Sequence, residues 1–200
     1  MCQAQANAAC SHQRADAPVP EGEPVVHCLK EALQVSEQRR WVHGGHDMDF
    51  PPVPFPSNRV ILITGEPLLR SVVREHHERL RRLPDIGDLF PRDNATFDKV
   101  VERIADFVVE ACGGPSRYTE AQGHTCMRTR HFPFTIDESA RESWLKALWS
   151  TLEDLNFPAE VREEYWAWLE AMSIRMINRR TTKEQPRRYP YSAMHIRAAA

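Results

Sequence analysis

Four stretches of this 200-residue chain repeat apolar side chains at intervals of three and four residues, and prolines or glycines separate them. This spacing places the apolar side chains on one face of an α-helix. The predicted helices cover residues 67–82, 94–112, about 135–155 and about 158–178. No segment has a convincing strand pattern, since VILIT at 60–64 is short enough to be a loop or a helical turn. The sequence therefore predicts an all-α fold with four main helices.

Residues typical of helix ends stand at the boundaries of these stretches. Gly113-Gly114-Pro115 follows the second helix, with glycine where a helix ends and proline just after it. Thr135 and Glu138 have the spacing of a capping box and would open the third helix. Pro158 stands where a helix-starting proline is expected.

The pattern divides the chain into a helical domain and two extensions. Residues 1–58 form an N-terminal extension that we expect to be mostly disordered, with one short amphipathic helix at 28–41 and a Pro-rich linker at 50–58. The helical domain is predicted at 59–179. Residues 180–200 are rich in arginine and proline, and they predict a flexible, solvated basic tail.

The bulk composition excludes several classes of function. The formal net charge is −2, so no overall field attracts the chain to nucleic acid or to a membrane surface. No apolar run approaches the ~20 residues that a membrane-spanning helix needs, and the N-terminus lacks the apolar core of a secretory signal. Five scattered cysteines do not form a disulfide framework. These features predict a cytoplasmic protein that binds neither nucleic acid nor membrane.

The segment GHTCMRTRHFPFTID at 123–137 holds the main candidate for chemistry, His131. The histidine precedes Phe-Pro-Phe and lies in the region that connects two predicted helices. It could cap or bridge a loop, or it could bind a metal or a haem iron. A haem site needs one neutral imidazole, apolar side chains and cations at its rim. Phe134 supplies apolar bulk, and Arg128 and Arg130 supply cations. These residues alone leave both alternatives open.

Five sequence elements follow one another between residues 113 and 145. They are Gly113-Gly114-Pro115, Tyr118, Gly123-His124, the run Arg128-Thr129-Arg130-His131-Phe132-Pro133-Phe134-Thr135-Ile136, and Arg141-Glu142-Ser143-Trp144-Leu145. In order and spacing they resemble group II of the truncated haemoglobin family. The resemblance extends from about Ile61 to Asn178.

The resemblance implies a fold, a cofactor and a set of site residues. The fold is a globin-like 2-over-2 helical sandwich, and the cofactor is haem b with His131 as the ligand of its iron. The other implied cofactor-binding residues are Trp144 and His77 on the open side of the iron, Phe90 against the porphyrin, Val100 and Ile104 over it, Phe134 beside the ligand His131, and Arg103, Tyr118, Arg128 and Arg130 at the rim.

The open side of the implied haem departs from the family pattern. His77 stands where the family usually has a tyrosine, and His76 precedes it. His77 could donate a hydrogen bond to dioxygen, act as acid and base on peroxide or nitrite, or bind the iron as a sixth ligand. Alternatively, one of the two histidines points to solvent beside Glu75 and Glu78.

Two functions from different classes follow. The first is a haem-binding globin that binds dioxygen or other diatomic ligands, with nitric oxide or peroxide detoxification as a further enzymatic activity. This function would require an unknown reductase, and truncated globins often form homodimers. The second is a bis-His or haem-free globin-like module that senses a signal or binds a partner.

Overall fold

The structure, a computed structural model, describes residues 50–198, with side chains up to residue 194. The extension up to residue 49, including the helix predicted at 28–41, lies outside this range. The helices are α1 (Arg59–Arg82), the short 3-10 helix η1 (Gly87–Leu89), α2 (Asn94–Ala111), α3 (Arg117–Gln122), α4 (Met127–His131), α5 (Glu138–Asp154), α6 (Ala159–Met176) and α7 (Tyr191–Ala198). The described residues include no strand, and the predicted all-α fold is confirmed.

Helix α1 begins eight residues earlier than the sequence predicts, because VILIT is helical. Gly65 interrupts it with φ 70° and ψ 158°. Positive φ values favour glycine, which has no Cβ to clash with the backbone. Pro67 follows in the first turn after this kink, where a missing N–H leaves no hydrogen bond unmade. The helix therefore continues through Gly65 and Pro67, two residue types that usually mark a helix boundary.

Four long helices form the body of the domain. Helix α1 packs against α2, α5 and α6, and α5 packs against α6. The largest fully buried side chains between them are Trp166, Trp168, Tyr165, Phe97 and Phe157. This arrangement leaves the short helices α3 and α4 as the connection between α2 and α5.

The capping box predicted at Thr135 and Glu138 is wrong. The N-cap of α5 is Asp137, whose Oδ1 accepts a hydrogen bond from the N–H of Ala140 at 2.8 Å. Asp93 caps α2 in the same way through the N–H of Thr96. An aspartate at the N-cap satisfies one of the amides that the first helical turn leaves unpaired.

The Pro-rich linker is extended, as its prolines predict, and it lies against α6. The ring of Phe55 is 6.1 Å from that of Trp168. Arg175 on α6 donates to the carbonyl of Pro51 at 3.0 Å.

The prediction of a solvated C-terminal tail is wrong for Tyr189, although its neighbours Arg188 and Pro190 are exposed. Tyr189 is buried, and its carbonyl accepts a hydrogen bond from the indole N–H of Trp166 at 2.7 Å. Arg188 forms an ion pair with Glu170 at 2.8 Å, and Arg141 donates to the carbonyl of Arg187 at 2.6 Å. The segment packs because a buried carboxylate on α6 gives its basic residues a partner.

Candidate functional site

His131 is the last residue of α4, so it ends a short helix where the sequence had indicated a connecting loop. Its Nδ1 lies 2.7 Å from the carbonyl oxygen of Met127. A carbonyl can only accept, so Nδ1 carries the proton and Nε2 presents its lone pair. Burial lowers the pKa of His131, which keeps the ring neutral near pH 7. A neutral, oriented imidazole with an unprotonated Nε2 is what a metal ligand requires.

His77 has the same arrangement on α1. Its Nδ1 lies 2.7 Å from the carbonyl oxygen of Val73, so its Nε2 also carries the lone pair. Burial lowers its pKa to about 4, and the charge of His131 acts in the same direction. The carbonyl of Val73 acts against these effects. The low pKa keeps the ring of His77 neutral near pH 7.

His76 adopts the opposite tautomer. Its Nε2 lies 3.0 Å from the carbonyl oxygen of Trp144 on α5, so here Nε2 carries the proton. Burial, aided by the charge of His77, lowers its pKa well below the usual value. His76 and His77 are 3% and 7% exposed. The alternative that one of them points to solvent is therefore wrong.

Four aromatic side chains from three parts of the fold form a row, which we call the twin-histidine cluster. The ring centroids of Trp144 and His76 are 4.7 Å apart, those of His76 and His77 are 5.2 Å apart, and those of His77 and Phe90 are 5.9 Å apart. Phe90 follows η1, so α1, the η1 corner and α5 together build the cluster. The cluster contains Trp144, His77 and Phe90, three of the residues that the resemblance implies for a haem site.

Helix α2 contributes half-buried and exposed residues. Val100 and Ile104 are half-buried, Ile104 packs against the core, and Arg103 is exposed. Tyr118 is buried, and the guanidinium of Arg130 lies 5.6 Å from the centre of its ring. Burial raises the pKa of Tyr118, while the charges of Arg130 and Arg103 oppose that shift. Tyr118 thus lies in the core, with the two arginines nearby.

The two arginines next to His131 hold the backbone around it. Arg128 donates to the carbonyl of Arg175 and, at 3.4 Å, to that of Ile177. Arg130 donates to the carbonyls of Gln122 and His124 at 3.1 and 3.2 Å. Both guanidinium groups are therefore engaged by carbonyls in this structure, and Arg130 keeps a buried Nε without a hydrogen-bond partner.

The apolar side chains beside His131 are open to solvent. The ring of Phe134 lies 6.4 Å from that of His131, and Phe134 and Phe132 are 41% and 50% exposed. Large exposed apolar side chains commonly mark a binding surface. Within residues 50–198, no group of three or more His, Cys, Asp or Glu residues could hold a metal ion. A single imidazole with apolar neighbours fits a haem, which brings its own four nitrogen ligands, better than a bare ion.

Asn178 belongs to this region, although no sequence motif indicated it. It follows α6, and its side chain contacts the backbone on both sides of the His131-Phe-Pro-Phe segment. The signal available was an asparagine at the end of the last predicted helix, which does not by itself point to a site.

A match to a family model decides the family. Residues 62–178, more than half of the chain, match the model described as Bacterial-like globin. The chain belongs to this globin family. Globins of this family normally bind haem and diatomic gases such as oxygen.

Curated and solved relatives agree with this assignment. The globin is 29% identical over 121 residues to the group 2 truncated haemoglobin YjbI of Bacillus subtilis, a match that covers 60% of this chain and 89% of the relative. The crystal structure of phosphate-bound Hell's gate globin IV is 51% identical, with a TM-score of 0.74, and covers 78% of this chain and 97% of its own. The truncated oxygen-avid haemoglobin from Bacillus subtilis is 29% identical, with a TM-score of 0.56, and covers 60% and 98%. The resemblance to group II truncated haemoglobins is confirmed.

None of the helices between residues 50 and 198 is long and apolar enough to cross a membrane.

Proposed function

We propose that this globin binds haem b through His131 and takes up dioxygen or another diatomic ligand. One observation carries the proposal. The half-buried His131 and the buried His77 each donate a hydrogen bond from Nδ1 to the carbonyl four residues earlier, and each keeps an unprotonated Nε2. Haem, when bound, would supply an iron that His131 could hold and that could take up a diatomic ligand.

The proposed roles of the other residues follow from their positions. Phe134, Val100 and Ile104 are partly exposed or half-buried apolar side chains that could contact the porphyrin. Arg103 is the rim cation that we favour, because its side chain is exposed and near Tyr118. Arg128 and Arg130 act in this proposal mainly by holding the helix that carries His131.

The twin-histidine cluster would face the ligand. A neutral His77 has no proton on Nε2, so it accepts rather than donates there. The indole N–H of Trp144 is a donor only, and we propose it as the hydrogen-bond donor to the ligand. The unprotonated Nε2 of His77 can take a proton from hydrogen peroxide, which supports a peroxidase-like activity. Nitric oxide detoxification would further require the predicted reductase.

A second candidate is a bis-His globin that senses or transfers electrons. The lone pair on Nε2 of His77 favours it, because that atom could serve as an internal sixth ligand. A low-spin ferric spectrum that becomes high-spin in His77→Leu would establish it. An unchanged spectrum in that variant would exclude His77 as a ligand.

Cellular context remains a prediction. The predicted cytoplasmic location is part of this proposal. The domain limits at residues 59 and 179 and a homodimer are likewise proposals. Size measurement in solution tests the homodimer directly.

A haem titration tests the proposed function. The wild-type protein should bind one haem with a sharp Soret band, and His131→Ala should bind weakly or lose haem during gel filtration. His124→Ala is the matched control, since His124 lies seven residues earlier and its ring accepts a hydrogen bond from the backbone N–H of Cys126 at 3.4 Å. Equal haem content in His131→Ala and the control would overturn the ligand assignment.

A further inference from the structure

Residues 131–136, which we call the proximal loop, run from the last residue of α4 towards the start of α5, and one side chain forms hydrogen bonds along their backbone. The Nδ2 of Asn178 donates to the carbonyl of His131 at 3.0 Å and to the carbonyl of Phe134 at 2.8 Å. Its Oδ1 accepts from the N–H of Ile136 at 3.0 Å. A single amide thus uses both donors and its acceptor on three backbone groups of the same loop.

Backbone hydrogen bonds also fix the position of Asn178 relative to the proximal loop. The N–H groups of Asn178 and Arg179 both donate to the carbonyl of Ile136, at 2.9 and 3.0 Å. Asn178 follows Ile177, which is 1% exposed, at the end of α6. The loop is therefore fixed to the end of a core helix.

These hydrogen bonds of Asn178, which we call the clamp, act on the backbone of His131. On the N-terminal side, Nδ1 of His131 donates a hydrogen bond to the carbonyl of Met127. The carbonyl of His131 accepts from Asn178 and from the N–H of Phe134 at 3.1 Å, on the C-terminal side. Moving that carbonyl rotates the backbone from which the ring projects. The direction of the Nε2 lone pair consequently depends on Asn178.

We propose that Asn178 is a positioning residue for His131 and sets how strongly the imidazole holds haem iron. The inference rests on the proposed haem-binding function. Groups that orient a metal ligand without touching the metal typically change metal affinity by about tenfold or more when they are replaced. An amide is needed because the position requires two donors and one acceptor at once.

The test uses full-length, haem-loaded protein in a His77→Leu background, so that His131 is the one axial histidine under study. Asn178→Ala removes the clamp, and Asn178→Gln keeps the amide but displaces it by one methylene. Asn94→Ala is the matched control, because the Asn94 side chain bonds Arg81, away from the proximal loop. Two properties are measured: the iron–histidine stretching band of the ferrous protein by resonance Raman spectroscopy, and the rate of haem transfer to excess apomyoglobin.

We expect both Asn178 variants to shift or broaden the stretching band and to release haem about tenfold faster, with the control unchanged. Unfolding midpoints of the haem-free variants show whether the measurements were made on folded protein. The Gln variant, which keeps the polar amide, carries the test if the Ala variant does not fold. An unchanged band and release rate in both Asn178 variants would overturn this inference alone. A parent protein that binds no haem would overturn the proposed function, and the inference with it.

Discussion

A backbone carbonyl sets the tautomer of each histidine in the site. His131 and His77 face carbonyls through Nδ1, whereas His76 faces one through Nε2. The sequence predicted the positions of His131 and His77, but it could not predict their tautomers. The tautomer of His131 depends on a short helix, and that of His76 depends on contact with α5, 68 residues away along the chain. Because Nδ1 of His77 donates to the carbonyl of Val73, we predict that its Nε2 accepts hydrogen bonds.

The lowered pKa values predict acid sensitivity of the haem-free protein. The folded pKa of His77 is about 4, whereas an unfolded histidine titrates near ~6.5. Between these pH values the unfolded chain binds a proton that the folded chain does not, so the free energy of unfolding falls as pH decreases through this window. His77 contributes about 3 kcal/mol to the free energy of unfolding above pH 6.5, and this contribution is lost as the pH falls to about 4.

Denaturant unfolding of the haem-free protein at several pH values between 7 and 4 measures this loss. His77→Leu should make this loss of stability smaller by about 3 kcal/mol. The same pH dependence in His77→Leu and the wild type would show that His77 is not a buried neutral imidazole.

At the level of helices, the apolar period predicted α2 almost to the residue, at 94–112 against Asn94–Ala111. The apolar period did not predict the first part of α1, because Gly65 and Pro67 normally signal a break and here only kink the helix. The capping-box pattern assigned the start of α5 to Thr135, since both Thr and Asp suit an N-cap and only the backbone geometry distinguishes them. Helices are thus predicted more reliably by their apolar faces than by their end residues.

Replacing the true cap of α5 should destabilise the fold. Asp137→Ala removes the hydrogen bond to the N–H of Ala140 and should lower the free energy of unfolding by about 1 kcal/mol. Thr135→Ala should change it by less than about 0.5 kcal/mol, because that residue is exposed and lies outside the helix. Urea denaturation of both variants compares them, and equal losses would contradict the assignment of Asp137 as the cap.

At the scale of the whole molecule, a buried ionic cluster attaches the C-terminal segment to the globin helices. Glu170 and Arg141, with side chains 2% and 3% exposed, form an ion pair at 2.6 Å. Glu170 also accepts from Arg188 and from the N–H of Tyr189 at 3.0 Å. The sequence could not predict this packing. A basic segment with prolines is typical of a solvated tail, and nothing in the sequence of α6 distinguishes Glu170 as a buried carboxylate. Such long-range pairings depend on the assembled fold.

Neutralising Glu170 should destabilise the whole protein. Glu170→Gln leaves Arg141 buried without its countercharge, which should reduce the free energy of unfolding by about 3 kcal/mol. Glu142→Gln is the control, because the Glu142–Lys146 pair is exposed and should contribute less than about 0.5 kcal/mol. Thermal or urea unfolding measures both. A Glu170 variant as stable as the control would contradict the role of the cluster.

The central claim is that His131 and the twin-histidine cluster form the two sides of a haem site that binds a diatomic ligand. The most direct test is the absorption spectrum of the haem-loaded, ferrous protein before and after the addition of carbon monoxide. The account predicts a Soret band that moves to a sharp carbon monoxide form, and the loss of that band from His131→Ala. A spectrum no different from free haem would contradict the account.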